Sequence, residues 1–290
     1  MKVCGFTIIR NAVKYDYPVV ESITSILNIC DEFVVAVGKS EDDTLGLIRS
    51  INSPKIRIIE TIWDDNLREG GKVLAVETNK CMDAISDEFD WCFYLQADEV
   101  VHEKYLPAIH EAMVKHLDNN KVDGLLFKYL HFYGTYDYVG DSRTWYKNEV
   151  RIIRNNKQIR SFRDAQGFKI NGKLLKVKET KAQVYHYGWV KPPEKQQQKQ
   201  KDFNKLWHDD QWIEHNVPQS QIFDYSQYNS LKLFQETHPA VMKDRIVRLN
   251  WKTDIDPGRK KHKNLIKWFL YTVEKHTGYR IGEYKNYRKI

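Results

Sequence analysis

Apolar and polar positions along the first hundred residues follow two rhythms. Short, nearly continuous apolar runs occur at 2–9, 33–37, 56–60 and 91–97. Runs of this length, bounded by polar breaks, read as strands buried on both faces. Between them, apolar positions recur at helical spacing. Val19, Val20, Ile23, Ile26, Leu27 and Cys30 follow Pro18, a residue suited to opening a helix. Leu47, Ile48 and Ile51 follow Asp43 and Thr44, either of which can cap. Leu74, Thr78, Cys81, Met82 and Ile85 follow the Gly70-Gly71 break. The alternation predicts an α/β fold with a mainly parallel sheet covered by helices on both faces.

A further helical face runs through Leu106, Ile109, Met113 and Leu117, and then the pattern changes. Segments 122–140, 148–155 and 182–190 are aromatic-rich strands without a long helix between them, a mixed or antiparallel addition to the sheet. From Lys191 onward the chain is polar, Gln-rich and helix-permissive. Its final helix is expected over 264–276, with Leu265, Trp268, Phe269 and Val273 on one side. The expected organisation is one domain over 1–190 and a helical extension over 191–290.

Composition narrows the class. With 41% hydrophobic and 29% charged residues the chain reads as a soluble globular protein. No signal peptide is expected, and the best apolar stretch, Leu265 to Val273, is short and interrupted by Lys267. Cys4, Cys30, Cys81 and Cys92 sit among apolar neighbours without metal-site spacing, as reduced core residues of a cytoplasmic protein would. The net charge of +7 is concentrated in "PGRKKHK" (257–263) and "YKNYRKI" (284–290), read as solvated basic tails, with contact to phosphate or an anionic surface as the alternative.

The run "DWCFYLQADEV" (90–100) takes an apolar strand straight into two adjacent carboxylates. In open α/β sheets ligands bind beyond the carboxyl ends of the strands. Asp98 and Glu99, with Arg10-Asn11, Gly38 to Thr44 and Thr61 to Asp65, would rim such a site. Capping of the following helix is the competing explanation for the acidic pair.

In order and spacing, "FTIIRN", "EFVVAVGKSEDDT", "ETNKCMDAI" and "WCFYLQADE" resemble family 2 glycosyltransferases of GT-A fold, over about residues 1–190. The resemblance implies an inverting transfer of a sugar from a nucleotide-diphosphate donor to a glycoconjugate or cell-surface polysaccharide acceptor. It implies a Mn²⁺ or Mg²⁺ cofactor, held by Asp98 with His186 as a second ligand. Thr7, Asn11, Ser40, Asp42, Lys72 and Asn79 join Asp98 on the donor side. Asp164 in "SFRDAQGFKING" matches the general base, followed by Glu149 and then Asp141. Apart from the resemblance, the extension over 191–290 is expected to pack on or near the acceptor side, with peripheral contact of its basic end to the inner face of a membrane, or oligomerisation, as alternatives.

Elementary chemistry agrees with this assignment. A divalent ion neutralises charge on a departing nucleoside diphosphate and prefers carboxylate and phosphate oxygens. An attacking hydroxyl needs a base. The chain departs from the family at Gln96, where an Asp is usual, and at Val37-Gly38, where an acidic residue often reads the donor base. Gln96 is expected to orient by hydrogen bonding, and Glu99 to meet the metal shell or face the next helix. Competing explanations are an ion pair of Asp164 with Arg160 or Arg163, and a core role for His186. His208 and His215 in "WHDDQWIEH" read as surface residues. Trp145, Tyr146, Phe168, Tyr187 and Trp189 divide between core and a sugar-stacking cleft.

Two other classes fit the sequence less well. A nucleotidyltransferase should carry a glycine-rich loop after the first strand, where "RNAVKYDYP" has no glycine; a G-x-G-x-x-G dehydrogenase fingerprint is likewise absent. A nucleic-acid binder should line one face with its charge, so nucleic acid is not the expected partner.

Overall fold

The computed structural model describes residues 1–259 and 265–290, apart from the side chain of Lys267. The expected helix start at Asn264 and basic positions 260–263 lie outside the described residues. In chain order the elements are β1 (Val3–Ile9), α1 (Val19–Leu27), β2 (Glu32–Gly38), α2 (Thr44–Arg49), β3 (Ile56–Thr61), α3 (Lys72–Asp83) and β4 (Trp91–Tyr94). Then come β5 (Glu99–Val101), α4 (Leu106–Lys115), β6 (Gly124–Tyr133), β7 (Tyr138–Gly140), β8 (Asn148–Arg154), β9 (Ile159–Phe162), β10 (Gly167–Ile170) and β11 (Lys173–Trp189). The chain ends with α5 (Pro193–Asn204), α6 (Asp210–Asn216), β12 (Leu231–Leu233), α7 (Lys243–Val247), α8 (Leu265–Thr277) and β13 (Tyr287–Lys289).

The main sheet runs β3-β2-β1-β4-β8-β6-β11-β10-β9. Its first four strands are parallel, as expected for fully buried runs, and β8 enters antiparallel between β4 and β6. α1, α2 and α4 cover one face, where Ile23, Ile26, Ile48, Phe93, Ile109 and Met113 are sealed from solvent. α3 covers the other through Cys81 and Met82, against Phe6, Val34 and Tyr94. All four cysteines are buried and free. Pro18 stands at the N-terminus of α1, and the Asp43 side chain accepts from the Gly46 N–H to cap α2. The expected α/β architecture is the one observed.

Three features differ from expectation. β4 stops at Tyr94, because residues 95–98 turn into β5, which pairs antiparallel with β11 at Glu99↔His186. β11 is seventeen residues long, far beyond the segment read as a strand. The last hundred residues are not helical throughout: β12 pairs with β7, and β13 pairs with β11. Residues 287–289 of the basic C-terminus are therefore an edge strand with Tyr287 buried, a correction to the solvated-tail reading. No helix among the described residues is long and apolar enough to cross a membrane.

Candidate active site

The turn after β4 puts the carboxylate of Asp98 at the carboxyl end of the parallel strands, where the backbone N–H of Tyr187 in β11 donates to the Asp98 carbonyl at 2.8 Å. Glu99 points the other way. It is sealed from solvent and receives Arg151 through Nε and Nη2, both at 2.8 Å, with the Tyr129 hydroxyl at 2.9 Å and the Gln96 N–H at 3.1 Å. Glu99 is thus committed to a buried ion pair beneath the site and faces neither a metal shell nor α4. The Arg151 guanidinium also lies over the rings of Tyr94 and Tyr129.

Beside Asp98 stands His186, its Nε2 3.7 Å from an Asp98 carboxylate oxygen. Its other nitrogen, Nδ1, lies 3.3 Å from Nδ1 of His131 on β6. The His131 Nε2 is 2.8 Å from the Tyr146 carbonyl, a pure acceptor, so His131 must carry its hydrogen there. Burial pushes the pKa of both imidazoles below the ordinary value, leaving them neutral at neutral pH. The bare Nδ1 of His131 can then only accept, His186 must donate from Nδ1, and the lone pair of His186 Nε2 faces Asp98. A lone pair and a carboxylate repel unless a cation lies with them.

Cations are supplied from the C-terminal segment. The Lys199 ammonium on α5 is 3.3 Å from the second Asp98 oxygen and 3.2 Å from the Gly188 carbonyl. Lys191, fully buried, donates to the Asp16 carbonyl at 2.9 Å and lies over Tyr17. Burial alone would raise the Asp98 pKa, but the positive charge beside it, the Lys199 ammonium first, reverses that and holds it at about 2. Three residues before Lys199, on the same face of α5, Gln196 is fully buried with neither amide atom hydrogen-bonded. Buried polar groups normally have partners. Gln196, Lys199 and the buried Lys191 mark the underside of α5 as a polar lining.

Gly188 shapes the gap. A β-carbon there would lie 2.7 Å from an Asp98 oxygen and 2.8 Å from His186 Nε2. The donor set is one carboxylate oxygen and one imidazole nitrogen 3.7 Å apart. It fits a divalent cation that completes its shell with phosphate and water oxygens. The imidazole is oriented by a hydrogen bond from its other nitrogen, as metal-bound histidines usually are. Among the described residues no group of three or more His, Cys, Asp or Glu converges, so the protein's share of such a shell stops at these two.

Asp164 lies in the tight β9–β10 connection between Arg163 and Ala165, two non-glycine residues at φ +55° and +59°. Such backbone costs about 1 kcal/mol or more per residue. Its expected ion-pair partners are engaged elsewhere: Arg160 pairs with Asp83, and Arg163 bonds the Tyr284 hydroxyl. Asp164 itself makes no hydrogen bond or ion pair among the described residues. It packs so closely on Gly71 that a β-carbon there would lie 2.7 Å from its own. The Gly71 N–H donates to Leu206, just past α5. Asp164 thus lies beside the segment tied to the chain just past α5, whereas Asp98 meets Lys199 within that helix.

Glu149 is 2% exposed, closed in by Asn286 at 3.0 Å and Gln166 at 3.4 Å, and faces no open space. Burial, opposed by Arg151 and these amides, raises its pKa to about 7. The sign follows: a carboxyl that binds its proton more tightly when folded contributes stability fully below its unfolded value, lost as pH rises through the folded one. Glu149→Gln is expected to leave stability almost unchanged near pH 4 and to add up to about 3 kcal/mol near pH 8. Urea melts at the two pH values measure this; an equal gain at both would mean that Glu149 does not titrate in this window. Asp141 accepts from Tyr271 at 2.8 Å and fastens α8.

The remaining donor-side candidates fall into two groups. Asn11, Ser40 and Asp42 knit the loops after β1 and β2. The Asn11 N–H donates to Ser40 Oγ at 3.0 Å, the Asn11 side-chain Oδ1 accepts from the Glu41 N–H at 2.8 Å, and Asp42 accepts from the Lys14 N–H at 2.6 Å. Thr7, Lys72 and Asn79 are not brought to this rim. Thr7 is fully buried within β1, Lys72 is half exposed and paired with Glu69 at 2.7 Å, and Asn79 spends both amide atoms on the Ser161 backbone. Of the aromatics, Phe168 and Tyr187 are core, whereas Trp145, Tyr146 and Trp189 are half-buried. Trp145 stacks on His131.

Sequence reasoning missed His131, Lys191, Lys199 and the Glu99–Arg151 pair. The periodic run Gln196, Lys199, Phe203 carried a signal: a helical stripe whose buried face is polar.

The sheet order, with its parallel half and the antiparallel β8 beside β4, is the GT-A type of fold implied by the resemblance. No protein-family model matches the chain, and no curated protein matches it. Among solved structures, S. aureus TarS aligns over 69% of this chain and 38% of its own, at 16% identity and TM-score 0.41. S. aureus TarS 1–349 in complex with UDP aligns over 70% and 64%, at 15% identity and TM-score 0.41. Glucosyl-3-phosphoglycerate synthase from Mycobacterium tuberculosis, in complex with Mn²⁺, UDP and phosphoglyceric acid, aligns over 45% and 43%, at 14% identity and TM-score 0.31. The chain spans less than two thirds of the TarS chains. At such identities and scores these likenesses assign no residue and no activity.

Proposed function

We propose that the chain is an inverting glycosyltransferase that moves a sugar from a nucleoside-diphosphate donor to a hydroxyl of a saccharide or glycoconjugate acceptor. The carrying observation is the approach of the Asp98 carboxylate and His186 Nε2 to 3.7 Å beside Gly188, backed by Lys199 at the carboxyl end of a parallel sheet. That arrangement suits the diphosphate end of a donor. Asp98 and His186 would hold a divalent cation, whose Lewis acidity neutralises charge on the departing diphosphate. Lys199 adds positive charge in a dry site, where electrostatic stabilisation is strongest. The loops joined by Asn11, Ser40 and Asp42 form the donor rim.

Asp164 is the general base of this proposal. Its carboxylate takes the acceptor hydroxyl's proton as that oxygen attacks the anomeric carbon, and the bond to the diphosphate oxygen breaks with its electron pair leaving on phosphate. An unpartnered carboxylate on a strained turn supports the role. Glu149, closed off by Asn286, is a support for the Asp164 turn. Trp145, Tyr146 and Trp189 are the rings available to an acceptor sugar.

The test is thermal denaturation with UDP, GDP, CMP or dTDP, with and without Mn²⁺ or Mg²⁺. A ligand of the native state raises the midpoint by mass action. One nucleotide is expected to stabilise in a cation-dependent way, and Asp98→Ala to lose that shift while keeping a cooperative transition. No response to any nucleotide would overturn the reading.

A further inference from the structure

The last helix is built inside out. α8 docks through its polar residues: Glu274, 8% exposed, receives Arg143 at 2.7 Å, Arg280 at 3.1 Å and Lys147, and the Tyr271 hydroxyl bonds Asp141. The residues expected to anchor the helix face outward instead. Leu265 is 82% exposed, Ile266 69%, Phe269 57% and Trp268 51%. Tyr279 and Tyr284, further along the same segment, are also largely exposed. Isolated exposed apolar residues are ordinary, but large ones grouped on one helix face mark an interaction surface.

Charge decides what that surface meets. Residues 257–290 contain ten Lys or Arg against two Glu, an excess of eight, whereas the whole chain carries +7. The rest of the sequence therefore sums to a slight negative charge, and the positive excess is concentrated in the sequence segment that contains the apolar helix. A helix with Trp, Phe, Leu and Ile on one face and basic residues about it has the composition of an interfacial membrane helix, held by apolar burial together with attraction to anionic headgroups. A second copy of the same basic surface would be repelled.

We infer that α8 and the basic residues around it form a docking surface for an anionic lipid bilayer, with α8 lying in the interface plane. The loop to which α8 is fastened, residues 141–147, carries Trp145 and Tyr146, the rings against His131. Docking would thus set the aromatic side of the site close to the headgroups. The inference stands on α8 alone and does not depend on the proposed activity.

The full chain is sedimented with phosphatidylglycerol-containing vesicles and with pure phosphatidylcholine vesicles, at low and high salt, beside the double variant Trp268→Ser/Phe269→Ser. Both side chains are outside the core, and an unchanged thermal midpoint confirms the variant's fold. Wild type is expected to partition to the anionic vesicles, with partitioning weakened by salt and reduced at least about tenfold by the double substitution. Absence of binding to anionic vesicles overturns the inference. So does binding indifferent to the substitution, or a lipid-free dimer that the substitution dissociates, which would make a second copy the occupant.

Discussion

Replacing Gly188 by alanine is expected to remove cation-dependent nucleotide binding and, with it, turnover. The added methyl would lie 2.7 Å from an Asp98 oxygen and from His186 Cε1, closer than packed carbon atoms approach. Neither neighbour is free to retreat. Asp98 is tied to Lys199, and His186 is held by His131, whose other nitrogen is bound to Tyr146. The loss should exceed about 100-fold in apparent affinity, since disturbing only the partners of a metal ligand costs 10- to 100-fold. Nucleotide titrations with and without Mn²⁺ would measure it. Gly188 adopts no left-handed backbone, so the variant should still fold. Undiminished cation dependence would mean that the Asp98–His186 gap is not the cation site.

The second large effect is expected at Asp164. Asp164→Asn keeps the size of the side chain and removes only its basicity. Because this carboxylate makes no hydrogen bond or ion pair among the described residues, stability should scarcely change. Loss of a general base lowers kcat by about 10² to 10⁴. The nucleotide-induced thermal shift should persist, because Asp164 packs against Gly71 and makes no hydrogen bond or ion pair with Asp98, His186 or Lys199. A variant with full turnover would return the base assignment to another carboxylate. One that also lost nucleotide binding would recast Asp164 as part of the donor pocket.

What was legible in the sequence follows from range. β1 to β4 and α1 to α4 announce themselves because each is written in contiguous letters: an apolar run, a cap, a helical stripe. β5 does not, since three residues starting with a glutamate look like nothing until Arg151 arrives to bury the charge. The first half of β11, "KLLKVKETK", alternates as a strand with one solvated face should, with Leu175 and Val177 inward, but its lysines give it the look of a solvated loop. The place of Asp98 was readable because strand ends are where open sheets bind ligands, whereas His186 was singled out by the resemblance and the structure sets it beside Asp98. Lys199 was hidden in a Gln- and Lys-rich helix that composition alone assigns to solvent. Its position depends on α5 crossing over the end of β11. α8 misled in the opposite direction, because a stripe of apolar residues does not reveal which way it is turned.

The buried Glu99–Arg151 pair has a consequence for how this chain can change over generations. Removing one partner of such a pair strands the other's charge in the core, at about 3–5 kcal/mol, whereas replacing both by apolar residues can be nearly neutral. Neither position can therefore drift alone without threatening a fold whose total stability is only about 5–15 kcal/mol. The residue next to Asp98 is thus locked to one fifty-two places away. In a lineage of related chains the two should be kept or exchanged together, a joint inheritance imposed by the dryness of the core and owing nothing to the chemistry above it.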